Sequence, residues 1–142
     1  MNTRVPTYQE MQALVAFLPR LYSEGFQPVL KWNGGEQGKD GLYRLPWPTY
    51  TPVVEEFYRL AASDCWLDYA YHPEEAAEML KEEGFVKSAS LSQIKEMLTF
   101  CVRGERFADG HWAEMIENGT IRKILERIQV LSADAPGRTD SG

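Results

Sequence analysis

The chain has 142 residues, 44% of them hydrophobic and 25% charged, and a formal net charge of −6. That length suits one domain with a real core, and the composition is that of a folded globular protein rather than a disordered one. The acidic balance disfavours long-range attraction to nucleic acid or to an anionic membrane, and no apolar run approaches the ~20 residues needed to span a bilayer.

The opening MNTRVPTYQEMQ has no signal-peptide apolar core, so the expected location is cytoplasmic. There the two cysteines, Cys65 and Cys101, are expected as reduced, inert thiols among apolar neighbours. Thr7 and Glu10 make a capping-box pattern ahead of Tyr8, Met11, Leu14, Val15, Leu18, Leu21 and Tyr22, which recur at helical spacing. Pro19 interrupts that run, so the helix kinks or restarts there and ends by Gly25.

Residues 26–50 read differently. Val29-Leu30-Lys31-Trp32 and Leu42-Tyr43-Arg44-Leu45 are two candidate strands around the glycine-rich loop NGGEQGKDG. A small hairpin and an irregular loop pinned by Trp32 and Trp47 are both open. Thr51-Pro52 then reads as a cap followed by proline at the first helical position, with Val53, Val54, Phe57, Leu60 and Ala61 as the apolar face. Residues 64–72 are aromatic without a period. Pro73 opens a further helix with Glu74 and Glu75 in its first turn and Gly84 as its stop.

Ser90 and Gln93 form a second capping box before the cleanest apolar stripe, Leu91, Ile94, Met97, Leu98, Cys101 and Val102. Leu98 and Leu125, each in the middle of a stripe, are expected to be fully buried. Asp109-Gly110 is a turn signal, with Asp109 the expected cap of a short helix through Trp112, Met115 and Ile116. Asn118-Gly119 stops it, and Ile121, Ile124, Leu125, Ile128 and Leu131 mark the last helix. The fold expected is mainly α, a single domain of five or six helices over residues 1–131. It has room for a small β-hairpin near residues 28–46, and 132–142 form a flexible polar tail.

The loop around Gly38-Lys39 is not a phosphate-binding loop. Asn33 stands where the first glycine belongs, and Asp40 stands where Ser or Thr would bind magnesium. Cys65, His72, Cys101, Asp109 and His111 fall at no recognised metal-ligand spacing, so neither metal nor cofactor is expected. The densest chemistry lies in Arg103, Glu105, Arg106, Asp109 and His111. On a functional reading the two arginines hold an anionic ligand, and Asp109 or His111 acts on it or orients it. On a structural reading Glu105 pairs with an arginine and Asp109 caps the next helix. The structural reading carries more weight, because helix ends and ion-pair networks use such residues without any catalysis.

The helices around Asn118-Gly119 also have the form of a helix-turn-helix with Arg122, Lys123 and Arg127 exposed on the second helix. The chain carries 4 Trp, 7 Tyr and 6 Phe, and eight of these rings lie between Tyr43 and Tyr71. They make either a ring-built core or a partly exposed aromatic groove for a protein partner.

The segment from Leu91 to Ile128 resembles a bacterial domain family without an assigned activity. The resemblance rests on Arg103-Gly104-Glu105-Arg106-Phe107-Ala108-Asp109-Gly110-His111-Trp112, followed by Ile116, Gly119, Ile121, Ile124, Leu125, Arg127 and Ile128. Ala108 departs from the cysteine associated with that segment. If that cysteine carried chemistry, this chain would lack it. The resemblance implies a bacterial origin and a mainly helical fold, and it implies no reaction.

The reading that results favours a binding or accessory protein over an enzyme, with a protein partner or a homo-oligomer as its company. Neither nucleic acid nor membrane is expected as a partner. The alternatives are a small enzyme or anionic-ligand-binding protein built on Arg103–His111, and a DNA-binding helix-turn-helix. Convergence of the polar cluster in a pocket favours the former, an exposed basic face favours DNA, and a large exposed aromatic patch favours a protein partner.

Overall fold

A computed structural model describes residues 5–38, 41–43, 45–135 and 137. The first helices follow their local signals. Thr7 accepts from the Glu10 backbone N–H, and the Glu10 carboxylate accepts from the Thr7 N–H, which starts α1 at Tyr8–Val15. Pro19 restarts the chain as a single turn, α2 (Leu18–Leu21), because it enters near the first position where no N–H is needed.

The two-stranded antiparallel sheet follows, β1 (Val29–Asn33) and β2 (Trp47–Tyr50), with an irregularity between Val29 and Lys31. The second strand is therefore not Leu42–Leu45, part of which, Arg44, lies outside the described residues. Leu42 and Tyr43 belong to the connection, where Tyr43 bridges Gln37. Pairing through Trp47–Tyr50 sends Tyr50 into the core and leads directly into the next helix. Pro48 is tolerated because β2 is an edge strand. Asn33 fixes the register by donating to the Trp47 carbonyl and the Thr49 hydroxyl.

Helix α3 (Pro52–Ala61) starts at Thr51 as expected, but the Thr51 hydroxyl makes no capping bond and is buried without a partner. Helix α4 (Pro73–Lys81) ends short of Gly84, which instead precedes the single turn α5 (Phe85–Ser88). Ser90 and Gln93 form the second capping box and open α6 (Leu91–Arg103). Helices α7 (His111–Glu117) and α8 (Thr120–Leu131) complete the domain. Of the tail read from residue 132, Ser132–Asp134 form a 3-10 turn. Ser132 is buried, accepting from Gln12 and donating to the Gln129 carbonyl. Residues 136 and 138–142 lie outside the described residues.

Helices α6 and α8 form the centre. The first packs on α3, α4 and α7, the second on α1, α5 and α7, and the two pack on each other. Leu98 and Leu125 are both fully buried between them, as the apolar stripes require. Cys65 and Cys101 are buried and form no disulfide with each other, and burial pushes the Cys101 pKa far above the ordinary thiol range.

The rings divide into two sets. Trp66, Tyr58 and Phe57 are buried, and Tyr58 stacks on Trp112 at 4.4 Å with their planes 7° apart. Tyr58 donates to the Trp112 carbonyl and the Trp112 indole donates to Val102, so the polar ends of these rings are satisfied. On the hairpin and its connection, by contrast, Trp32, Tyr43 and Trp47 stay in solvent.

Candidate functional site

The 3-10 turn Gly104–Arg106 carries the chain out of α6 toward α7. Gly110, at φ 94°, starts α7, and no side chain caps it from that position. Asp109 is exposed and makes no side-chain hydrogen bond among the described residues, so the expected cap is not there.

Glu105 caps the helix instead. Its Oε2 accepts from the Gly110 N–H at 3.0 Å, and its Oε1 accepts from the Trp112 N–H at 2.9 Å and the Tyr50 hydroxyl at 2.8 Å. A carboxylate at the positive end of a helix, with three donors, is a strong structural arrangement. Burial and this carboxylate together hold the Tyr50 phenol protonated far above the usual range. Glu105 makes no ion pair with Arg103 or Arg106 among the described residues, which corrects the pairing expected from the sequence.

The rest of the cluster disperses. The Arg103 guanidinium lies over the rings of Tyr69 and Tyr71, at 5.8 and 5.6 Å. Arg106 is exposed and points to none of the others through any hydrogen bond or ion pair among the described residues. His111 is half-buried, edge-on to Phe100 at 5.4 Å and packed close against Gly104. A methyl group at Gly104 would stand inside that ring, so only glycine allows the close approach. The Nε2 of His111 is buried without a partner, and burial lowers the His111 pKa below its ordinary 6.5. Among the described residues no group of three or more His, Cys, Asp and Glu is arranged to hold a metal ion.

What the structure does bring together is the hairpin and the start of α7. An open groove of about 850 Å³ runs between residues 27–32 on one side and 108–111, Ala113, Glu114, Glu117 and Asn118 on the other. Asp109 and His111 line it, while Arg103, Glu105 and Arg106 do not. The ring of Trp32 closes over Gly110, where an added Cβ would meet it at 2.8 Å. On the hairpin and its connection, Leu30, Trp32, Leu42, Tyr43, Leu45 and Trp47 are all exposed, Leu45 by 74% and Trp32 by 53%. These are six of the ten large exposed hydrophobic side chains among the described residues, which makes the hairpin the apolar part of the surface. Phe107, 84% exposed, stands at the tip of the neighbouring loop. Sequence reasoning noticed the rings but had no means of placing them. The available signal was six apolar side chains flanking a polar, glycine-rich loop.

The helix-turn-helix is likewise tied into the fold. The Tyr22 hydroxyl donates to the Ile116 carbonyl at the end of α7 and accepts from the Arg122 N–H at the start of α8. Burial pushes the Tyr22 pKa up to about 12. Arg122 lies beside Glu126 at 3.6 Å, and Arg127 donates to the Ala89 carbonyl at 2.8 Å. The basic face is thus largely engaged within the domain. No helix among the described residues is long and apolar enough to cross a membrane.

The family model described as "Family of unknown function (DUF6508)" matches residues 6–134, nearly the whole chain. The chain belongs to that family. No curated protein and no solved structure matches it.

Proposed function

We propose that this member of the DUF6508 family is a binding module that docks a partner protein through the hairpin formed by β1 and β2. The observation that carries the reading is the concentration of exposed Leu, Trp and Tyr side chains between Leu30 and Trp47. Trp and Tyr are the residues that anchor protein interfaces, because each covers a large area at little entropic cost. A lone exposed leucine means nothing, but six such side chains within one hairpin and its connection point to an interaction surface.

The dispersal of the Arg103–His111 residues weighs against an anion site. Their best-placed acid, Glu105, is spent on backbone and phenol donors. The engagement of Arg122 and Arg127 within the domain weighs against duplex DNA in the same way.

The test is selection of displayed random peptides on the immobilised protein, with counter-selection on Leu30→Ser/Leu45→Ser. Both leucines are exposed, so the variant should fold as the parent does. Peptides enriched on the parent and not on the variant support the reading. No enrichment, or equal enrichment on both, overturns it.

A further inference from the structure

We infer that the groove beside β1 takes an extended, basic segment of the partner protein, which adds to the sheet as a third strand. This rests on the partner-binding reading above and specifies what is bound and how. Four consecutive strand residues, Val29–Trp32, line the groove, with Gln27 and Pro28 ahead of them. A strand face would present only alternate residues, so the groove runs along the strand's edge. On that side β1 has no strand neighbour, and no residue of 29–33 makes a main-chain bond outside the β1–β2 pair among the described residues. An unpaired edge is a row of donors and acceptors at strand spacing, the requirement for strand addition.

The opposite wall selects the charge. Glu114 and Glu117 lie three apart on α7 and both line the groove, with Asp109 at its end. None of the three carboxylates has an ion-pair partner among the described residues. Against them the lining offers one full-time cation, Lys31, while burial lowers the His111 pKa below its ordinary 6.5. The lining therefore carries one positive and three negative charges, a net −2, within a chain of net −6. A segment with Lys or Arg on alternate positions meets that wall and is steered toward it.

A second copy of this chain is the poorer occupant. A two-fold antiparallel pairing centred on Lys31, the middle residue of β1, sets that lysine directly against its twin.

The probes are a short alternating Lys–Val peptide and its Glu–Val counterpart, titrated into the full chain and followed by backbone amide NMR and hydrogen exchange. The Lys–Val peptide should bind more tightly than the Glu–Val one, and should slow exchange of amides within Val29–Asn33. In Glu114→Gln/Glu117→Gln its affinity should fall about tenfold, with the melting curve unchanged because both side chains are exposed. Equal binding of the two peptides, or binding without protection along β1, overturns the inference. So does protection that rises with protein concentration and doubled mass in the absence of peptide, which identifies a second copy as the occupant. If neither peptide binds while display on the parent still enriches others dependent on Leu30 and Leu45, this inference fails and the partner-binding reading stands. If display enriches nothing, both fall together.

Discussion

Replacing Glu105 by alanine should destabilise the domain more than any other single change in the Arg103–His111 segment that leaves the glycines alone. The carboxylate accepts three hydrogen bonds, from Tyr50, Gly110 and Trp112, at 2.8, 3.0 and 2.9 Å. At ~1 kcal/mol net for each bond, alanine forfeits about 3 kcal/mol and strands three part-buried donors. For a domain of this size that is a fall in Tm of roughly 10 °C. Glu105→Gln is the finer probe. Its amide oxygen can replace Oε1 and keep the Tyr50 and Trp112 bonds, but its NH2 then faces the Gly110 N–H, donor against donor. That variant should lose about 1–2 kcal/mol. Tyr50→Phe combined with Glu105→Ala should give less than the sum of the two, because both remove the Tyr50–Glu105 bond. Asp109→Ala is the control. Its side chain is exposed and makes no hydrogen bond among the described residues, so it should change stability by less than ~0.5 kcal/mol. Calorimetry on these variants beside the parent decides the matter. If Glu105→Ala costs no more than Asp109→Ala, the carboxylate is not the cap of α7.

Leu98→Ala should cost ~2–5 kcal/mol in chemical denaturation, because Leu98 is fully buried between the central helices. An unchanged midpoint would contradict the packing. Gly104→Ala should lower the Tm sharply, since the added methyl occupies the His111 ring, and Gly104→Ala/His111→Ala should recover part of the loss. No recovery would show that the ring is not the obstacle. His111 also sets a pH dependence. Its folded pKa lies below the ordinary 6.5, so the unfolded chain takes up the proton first as pH falls. Stability should therefore decline as pH falls through the ordinary 6.5 and below it, and His111→Gln should flatten that slope. An unchanged slope in the variant would place the titration elsewhere.

Much of the helical frame is legible in the sequence, because its signals are local. The pairs Thr7/Glu10 and Ser90/Gln93 announce two helix starts within four residues each, and the stripe through Ile94, Met97 and Leu98 announces a buried face. The hairpin is not legible in the same way. The apolar run Leu42–Leu45 looks like a strand, whereas Trp47–Tyr50 contains a proline and does not. Pairing is decided by Asn33 reaching Trp47 and Thr49, and by Tyr50 reaching the core. The polar segment shows the same limit. Asp109 has the right position for a cap by spacing, but Glu105 takes the role because the turn Gly104–Arg106 folds it back over α7, with Tyr50 arriving from 55 residues away. Burial pattern misleads as well. Leu30, Leu42 and Leu45 have core-type side chains and stand in solvent, which no periodicity could reveal.

The most direct test of the partner-binding account is a calorimetric titration of one display-selected peptide into the parent chain and into Leu30→Ser/Leu45→Ser, with thermal melts of both proteins. The account predicts matching melts and an affinity at least about tenfold weaker in the variant, as for loss of two interface anchors. Equal affinities with matching melts would contradict it.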